Sequence, residues 1–211
     1  MNNRFPNFDI EFSLHKPVIG IDEVGRGPLA GPVVSCACVF LDYQIDKSIL
    51  ENFNDSKKLS RKKRSNALKI INQLKNHNKI NYAIGSASVK EIDSINILEA
   101  TKLSMKRAVT KLNYNKGNLI IDGKIDLKLN QYSYRGVIKG DEKSYTIATA
   151  SIIAKIYRDN YMRRLSINYP QYQWEKNAGY GTKNHIIIIK EKGFTKHHRT
   201  SFEPIKSLIH K

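Results

Sequence analysis

Residues 20–32 read Gly20-Ile21-Asp22-Glu23-Val24-Gly25-Arg26-Gly27-Pro28-Leu29-Ala30-Gly31-Pro32. An apolar run that begins at Val18 ends in two adjacent carboxylates. The eight residues after Val24 then hold three glycines and two prolines, which excludes regular structure there. A second apolar run, 33–41, follows at once. The stretch therefore reads as strand, irregular turn, strand, with acids at the end of the first strand. In α/β sheets, ligand sites collect at such strand ends. An acidic pair is out of keeping with a chain of net charge +17. Carboxylates set in a basic protein suit divalent cations held against a polyanion.

Gly25 to Ala30 also fits the dinucleotide fingerprint G-x-G-x-x-A. That fingerprint opens a helix, and Pro28 and Pro32 do not belong in a helix interior. Asp22 and Glu23 would moreover repel a pyrophosphate unless a metal stood between them.

Two more acids close apolar or alternating runs: Asp122 in Ile120-Ile121-Asp122-Gly123, and Asp141 in Lys139-Gly140-Asp141. Gathered carboxylates raise one another's pKa, and a divalent cation removes the conflict. Mg²⁺ takes a few carboxylates together with waters and phosphate oxygens. Two such ions can clamp both sides of a phosphodiester under attack. Any one of these acids is equally at home as a turn or cap residue, so spacing alone leaves both readings open.

Elsewhere, periodicity predicts strands over 80–89, 118–122 and 134–139, and helices over 60–75, 144–167 and 183–192, the last stopped by Gly193. Ser88 and Glu91 have capping-box spacing before a helical stripe at Ile97, Thr101, Met105, Ala108 and Leu112. The helix at 144–167 is dense in Ala, Ser and Ile, so it can lie close on a sheet. The fold class is α/β: one domain over 1–168 with a helical extension, 169–211, packed on it.

Lys and Arg number 36 against 19 Asp and Glu, with pI near 9.8. That excess favours nucleic acid or an anionic membrane surface as partner, general solubility being the bland alternative. No apolar run is long enough to cross a bilayer and no secretory leader is visible, so a cytoplasmic protein is expected. Cys36 and Cys38 share one strand face and read as buried thiols, not a disulfide framework.

The chain resembles prokaryotic ribonuclease HII, of the type 2 ribonuclease H family. The motifs that carry the likeness lie in family order over nearly the whole chain. They are residues 20–32, Asp55-Ser-Lys-Lys-Leu-Ser60, Glu91-Ile-Asp-Ser-Ile-Asn96, Ile121-Asp-Gly123, Lys139-Gly-Asp141, residues 147–155, Gly179-Tyr-Gly-Thr182 and His198-Arg-Thr-Ser-Phe202. The resemblance implies a ribonuclease H-like fold, a mixed sheet flanked by helices. It implies a monomeric endonuclease that cuts RNA in RNA–DNA hybrids, and duplex DNA on the 5′ side of a single embedded ribonucleotide, leaving 3′-hydroxyl and 5′-phosphate ends. By motif, it assigns Asp22, Glu23, Asp122 and Asp141 to catalysis and to two Mg²⁺ or Mn²⁺ ions. It assigns Gly25, Arg26 and Gly27 to the ribose 2′-hydroxyl, Tyr180 to the neighbouring sugar and Lys57 to phosphate. Ala178 departs from the lysine of many members, and Thr149 from a common alanine.

Other residues read more plainly. Lys155 and Asp159, four apart, make an ordinary helix ion pair. The basic run from Lys57 to Arg64 offers phosphate contacts or a solvated face. His185, His197 and His198 lack metal-ligand companions, and His198 with Arg199 is placed for contact with a nucleic-acid backbone. A sliding-clamp partner is not legible in the tail from Leu208. A non-catalytic hybrid-binding protein, or another nuclease of the same fold such as a junction resolvase, are the competing readings.

Overall fold

The computed structural model describes residues 5–53, 56 and 59–209. β1 (Val18–Val24) and β2 (Val33–Phe40) pair antiparallel through the register Asp22↔Cys36, and β3 (Ile80–Ala87) adds antiparallel to β2. On the other side, β4 (Gly117–Asp122) pairs parallel with β1, and β5 (Tyr132–Val137) parallel with β4. The five-stranded mixed sheet has the order β3-β2-β1-β4-β5. All eight residues of β2 are buried, because both faces of this strand are covered.

Period-2 alternation divides β2 between two cores. Ala37 and Val39 join Ile19, Ile21, Leu119 and Ile121 against Met105, Ala108, Val109 and Leu112. Those four belong to the helix on that face, α4 (Val89–Leu112). Cys36, Cys38 and Phe40 turn the other way, towards Ala150, Ile152 and Ile153 of α5 (Tyr145–Asn168) and Ala67 and Ile71 of α3 (Arg61–Asn76). Both cysteines are free and buried, as their spacing implies. In chain order the helices are α1 (Asp9–Phe12), α2 (Lys47–Leu50), α3 (Arg61–Asn76), α4 (Val89–Leu112), α5 (Tyr145–Asn168), α6 (Trp174–Asn177), α7 (Lys183–Lys192) and α8 (Ile205–Ile209).

Local chemistry sets the boundaries. Ser60, Ser88, Ser144 and Thr182 each accept the N3 backbone N–H of the helix they begin, and at Ser88 the Glu91 side chain completes the capping box. α4 is kinked at Asn96 (φ 65°), whose Oδ1 accepts the N–H of Leu98 and of Glu99 and so caps a second helical start. β5 ends two residues before the 134–139 reading, because Lys139 is left-handed (φ 54°) and opens a 3-10 turn over Gly140–Glu142.

α5 lies directly on β1. A Cβ added to Gly20 would stand 2.6 Å from the Thr146 carbonyl carbon and 2.7 Å from Ile147 N. The small residues Ala148, Ala150, Ser151 and Ala154 are buried along the same helix, which permits this approach. The far end of α5 meets the C-terminal segment in a third cluster. There Met162 packs with Leu29, Ala30, Tyr172, Trp174, Ile189 and Ile205, and Tyr172 stacks on Trp174 at 5.1 Å. No helix among the described residues is long and apolar enough to cross a membrane.

Candidate active site

Asp22 and Asp122 lie side by side on adjacent parallel strands, one residue beyond the pair Ile21↔Ile121; Asp122 ends β4, while β1 runs on to Val24. Asp141 reaches the same place from the 3-10 turn after β5. Among the described residues, these three aspartates bring carboxylate oxygens within 4.8 Å of one another. Backbone and side-chain donors orient them. Glu23 N–H donates to Asp22 Oδ1 at 2.7 Å, Gly140 N–H donates to Asp122 Oδ1 at 2.7 Å, and the Ser151 hydroxyl of α5 bonds to Asp22. Ser151 is itself 2.9 Å from Ser56 Oγ.

Asp22 is only 6 % exposed and Asp141 only 5 %. Burial, then the Glu23 charge, push the Asp22 carboxyl well above the usual range; Ser151 opposes them and Asp122 adds to them. Such repulsion among hard oxygen donors is what a divalent cation relieves, so the donor set fits Mg²⁺ or Mn²⁺. Glu23, the fourth acid expected from the sequence, is not in this three-carboxylate cluster; its charge acts on Asp22, and its Oε1 lies 3.3 Å from Arg26 Nη1.

The loop after β1 is shaped by two arginines: Arg158, which the sequence reading passed over, and Arg199, which it placed against a nucleic-acid backbone. Arg158, fully buried in α5, donates to the carbonyls of Pro32 (2.9 Å), Ala30 (2.9 Å) and Ala178 (2.8 Å). Arg199, also fully buried, donates to Gly31 O (3.0 and 2.8 Å), Arg26 O (2.7 Å) and Gly25 O. Burial lowers Arg158 to about 10; burial and the neighbouring Arg158 lower Arg199 to about 9, so both stay cationic at neutral pH. Gly25 (φ +93°) passes so close to Arg158 that a Cβ would fall 2.1 Å from its Nε.

In a trans peptide the N–H points opposite to the C=O. With the Gly25 and Arg26 carbonyls turned in to Arg199, the N–H groups of Arg26 and Gly27 are turned out. The loop is also tied to the next motif, since Leu29 N–H donates to Gly179 O at 2.8 Å. Tyr180, 43 % exposed, stands over Gly27, its ring 3.9 Å from where a Cβ would be. Arg26, Gly27 and Tyr180, all exposed, therefore form one surface, with Gly25 buried behind them against Arg158. Lys57 lies outside the described residues. In the basic run, Arg64 turns inward and donates to the carbonyls of Ser56 (2.9 Å) and Leu59 (2.5 Å).

His198 and Arg199 do not face a nucleic acid, contrary to the sequence expectation: they are 1 % and 0 % exposed. His198 lies 3.2 Å from His185 Nε2, which also accepts from Trp174 Nε1 at 3.1 Å, while His185 Nδ1 is 2.8 Å from Tyr180 O. Burial lowers both histidines, His198 to about 3. Lys155 does pair with Asp159, at 2.8 Å. The signal for Arg158 was an arginine among the small and apolar residues of α5; Arg199 was marked by the His198–Phe202 motif, though with an outward role that its burial excludes.

A family model described as Ribonuclease HII matches residues 19–205. The Ribonuclease HII of Wolbachia pipientis subsp. Culex pipiens is 44 % identical over 97 % of this chain and 100 % of its own length. That of Macrococcus caseolyticus is 49 % identical over 92 % of this chain and 69 % of its own. Among solved structures, the ribonuclease H2 of Pyrococcus horikoshii superposes with a TM-score of 0.74 at 24 % identity, covering 92 % of this chain and 97 % of that one.

Proposed function

Because the chain belongs to the ribonuclease HII family, endoribonucleases that act on RNA–DNA hybrids, we propose that it cuts the phosphodiester on the 5′ side of a ribonucleotide, including one embedded in duplex DNA, and leaves 3′-hydroxyl and 5′-phosphate ends. The observation that carries this reading is the meeting of Asp22, Asp122 and Asp141 within 4.8 Å beside the Gly25–Gly27 loop.

Asp22, Asp122 and Asp141 hold the divalent ions, with Glu23 completing the set, and two ions are expected. When bound, such ions make a water more acidic and neutralise charge on the attacked phosphate and the leaving oxygen. The protein's share is placement. Ser151 and the N–H groups of Glu23 and Gly140 fix the carboxylates. The outward N–H groups of Arg26 and Gly27 meet the 2′-hydroxyl, the group that separates RNA from DNA. Glycine lets the sugar come close, and the Tyr180 ring gives the neighbouring sugar an apolar platform. The net charge of +17 draws the duplex in.

The test is a labelled duplex carrying one ribonucleotide, incubated with Mg²⁺ or Mn²⁺. Wild-type protein is expected to cut once, 5′ to the ribonucleotide. Asp22→Asn and Asp141→Asn are expected to bind the duplex and leave it intact. Turnover at the wild-type rate by either variant refutes the assignment; binding without cleavage by the wild type favours a non-catalytic hybrid binder.

A further inference from the structure

The chemistry described so far makes no use of the N-terminal segment, which lies outside the 19–205 family match. Yet Glu11, in α1, is 1 % exposed. Burying a carboxyl is unfavourable unless donors meet it. Both donors that meet this one come from the start of α5. Glu11 Oε1 accepts from Ser144 Oγ at 2.6 Å and from Thr146 N–H at 3.2 Å. Ser144 Oγ in turn accepts the Ile147 N–H at 3.1 Å, so Glu11 and Ser144 together satisfy the open end of the helix.

The backbone repeats the link. Asn7 N–H donates to Lys143 O at 3.2 Å, and Tyr145 N–H donates to Asn7 O at 3.1 Å. Phe8 packs on Tyr145 and Phe40, with ring centres 5.1 and 5.0 Å apart. On the active-site side, Ser144 N–H donates to Gly140 O at 2.9 Å, and Gly140 N–H reaches Asp122. Asp141 thus lies between two fixed points, Gly140 on Asp122 and Ser144 on Glu11.

We propose that Glu11 is a positioning residue for the metal site: by gripping Ser144 and Thr146, it holds the turn that places Asp141 against Asp22 and Asp122. Its reach matters, not its charge. Oε2 has no hydrogen-bond partner among the described residues, so the hold runs through Oε1 alone, and the amide oxygen of a glutamine can accept the same two donors.

The test is Mn²⁺ binding by calorimetry, without nucleic acid and well below the melting temperature. It rests on the metal-binding reading above, and the two fail differently: if the wild type binds no Mn²⁺, that reading fails. Glu11→Ala, which removes the carboxyl, and Glu11→Asp, which keeps the charge but shortens the reach, are expected to weaken Mn²⁺ about tenfold, as loss of a ligand's supporting partner does. Glu11→Gln is expected to stay within about twofold of wild type. In an Asp141→Asn background, Glu11→Ala should add nothing. Leu112→Ala, in the core on the opposite sheet face, supplies a comparably destabilised control. The inference is overturned if Glu11→Ala or Glu11→Asp binds Mn²⁺ like the wild type. It is overturned equally if Glu11→Gln fails as badly as Glu11→Ala, or if Leu112→Ala weakens Mn²⁺ as much. Should Glu11→Ala not fold, the Asp and Gln pair decides alone.

Discussion

Gly20→Ala probes how closely α5 must lie on β1 for the site to form. The added Cβ would stand 2.6 Å from a main-chain carbon of Thr146 and 2.7 Å from Ile147 N, short of an ordinary 3.4 Å contact by about 0.8 Å. Both neighbours are backbone in the first turn of a long helix, so no side chain can swing aside and the turn itself must lift. Overpacking of this kind costs about 1–3 kcal/mol. In a domain of this size, each kcal/mol lowers the melting temperature by about 2–4 °C. Ser144 begins that turn and Asp141 sits just before it, so a shift of nearly 1 Å reaches the carboxylate cluster. Misplacement on that scale costs a reaction about a hundredfold. The assay pairs thermal unfolding, followed by circular dichroism, with initial rates on a duplex carrying one ribonucleotide at saturating Mg²⁺. The expected result is a protein still folded at the assay temperature that turns over one to two orders of magnitude more slowly, with duplex binding in chelator little changed. Unaltered melting and unaltered turnover would show that α5 has room to spare, and would refute the packing argument.

Arg199→Lys removes the fork that serves the carbonyls of Gly25, Arg26 and Gly31; each buried carbonyl left without a donor costs about 1–3 kcal/mol. The check is urea unfolding together with the preference for a ribonucleotide-bearing duplex over all-DNA, and both are expected to fall. His198 titrates near 3 in the fold against 6.5 in the open chain, so between those values the unfolded state carries the extra proton and stability drops as pH falls. Unfolding from pH 6 to pH 4 should therefore be shallower for His198→Asn than for wild type, by about 1.4 kcal/mol per pH unit; equal slopes would refute it. Lys155→Met breaks a partly exposed ion pair and should lower stability by less than about 1 kcal/mol in thermal melts, with cleavage retained.

Much of the site was legible because its residues break local rules. Two acids at the end of an apolar run, followed by a turn too rich in glycine and proline for regular structure, mark Asp22 to Pro32 without reference to anything distant. Asp122 and Asp141 each stand beside a glycine, a signal that turn and cap residues share, and only the family resemblance joined them to Asp22; in the fold Asp122 ends β4 and Asp141 lies in the turn after β5. What holds them was not legible. Arg158, Arg199 and Glu11 are ionisable residues in a chain with many, and composition assigns such residues to the surface. Only the fold shows that each faces carbonyls or helix N–H groups supplied by segments far away in sequence. The kink in α4 escaped for a related reason: the helical stripe begins only at Ile97, so periodicity does not test the segment before it, and the interruption depends on the Asn96 side chain capping its own helix.

The grip of Arg199 on Gly25 spans 174 residues. During synthesis, the loop over residues 25–31 leaves the ribosome early and its anchor emerges late. Until translation reaches that arginine, the carbonyls of Gly25 and Arg26 have no partner to turn towards, even if the sheet and α5 have already assembled. In a nascent chain this loop therefore stays without its anchor until the segment around Arg199 docks.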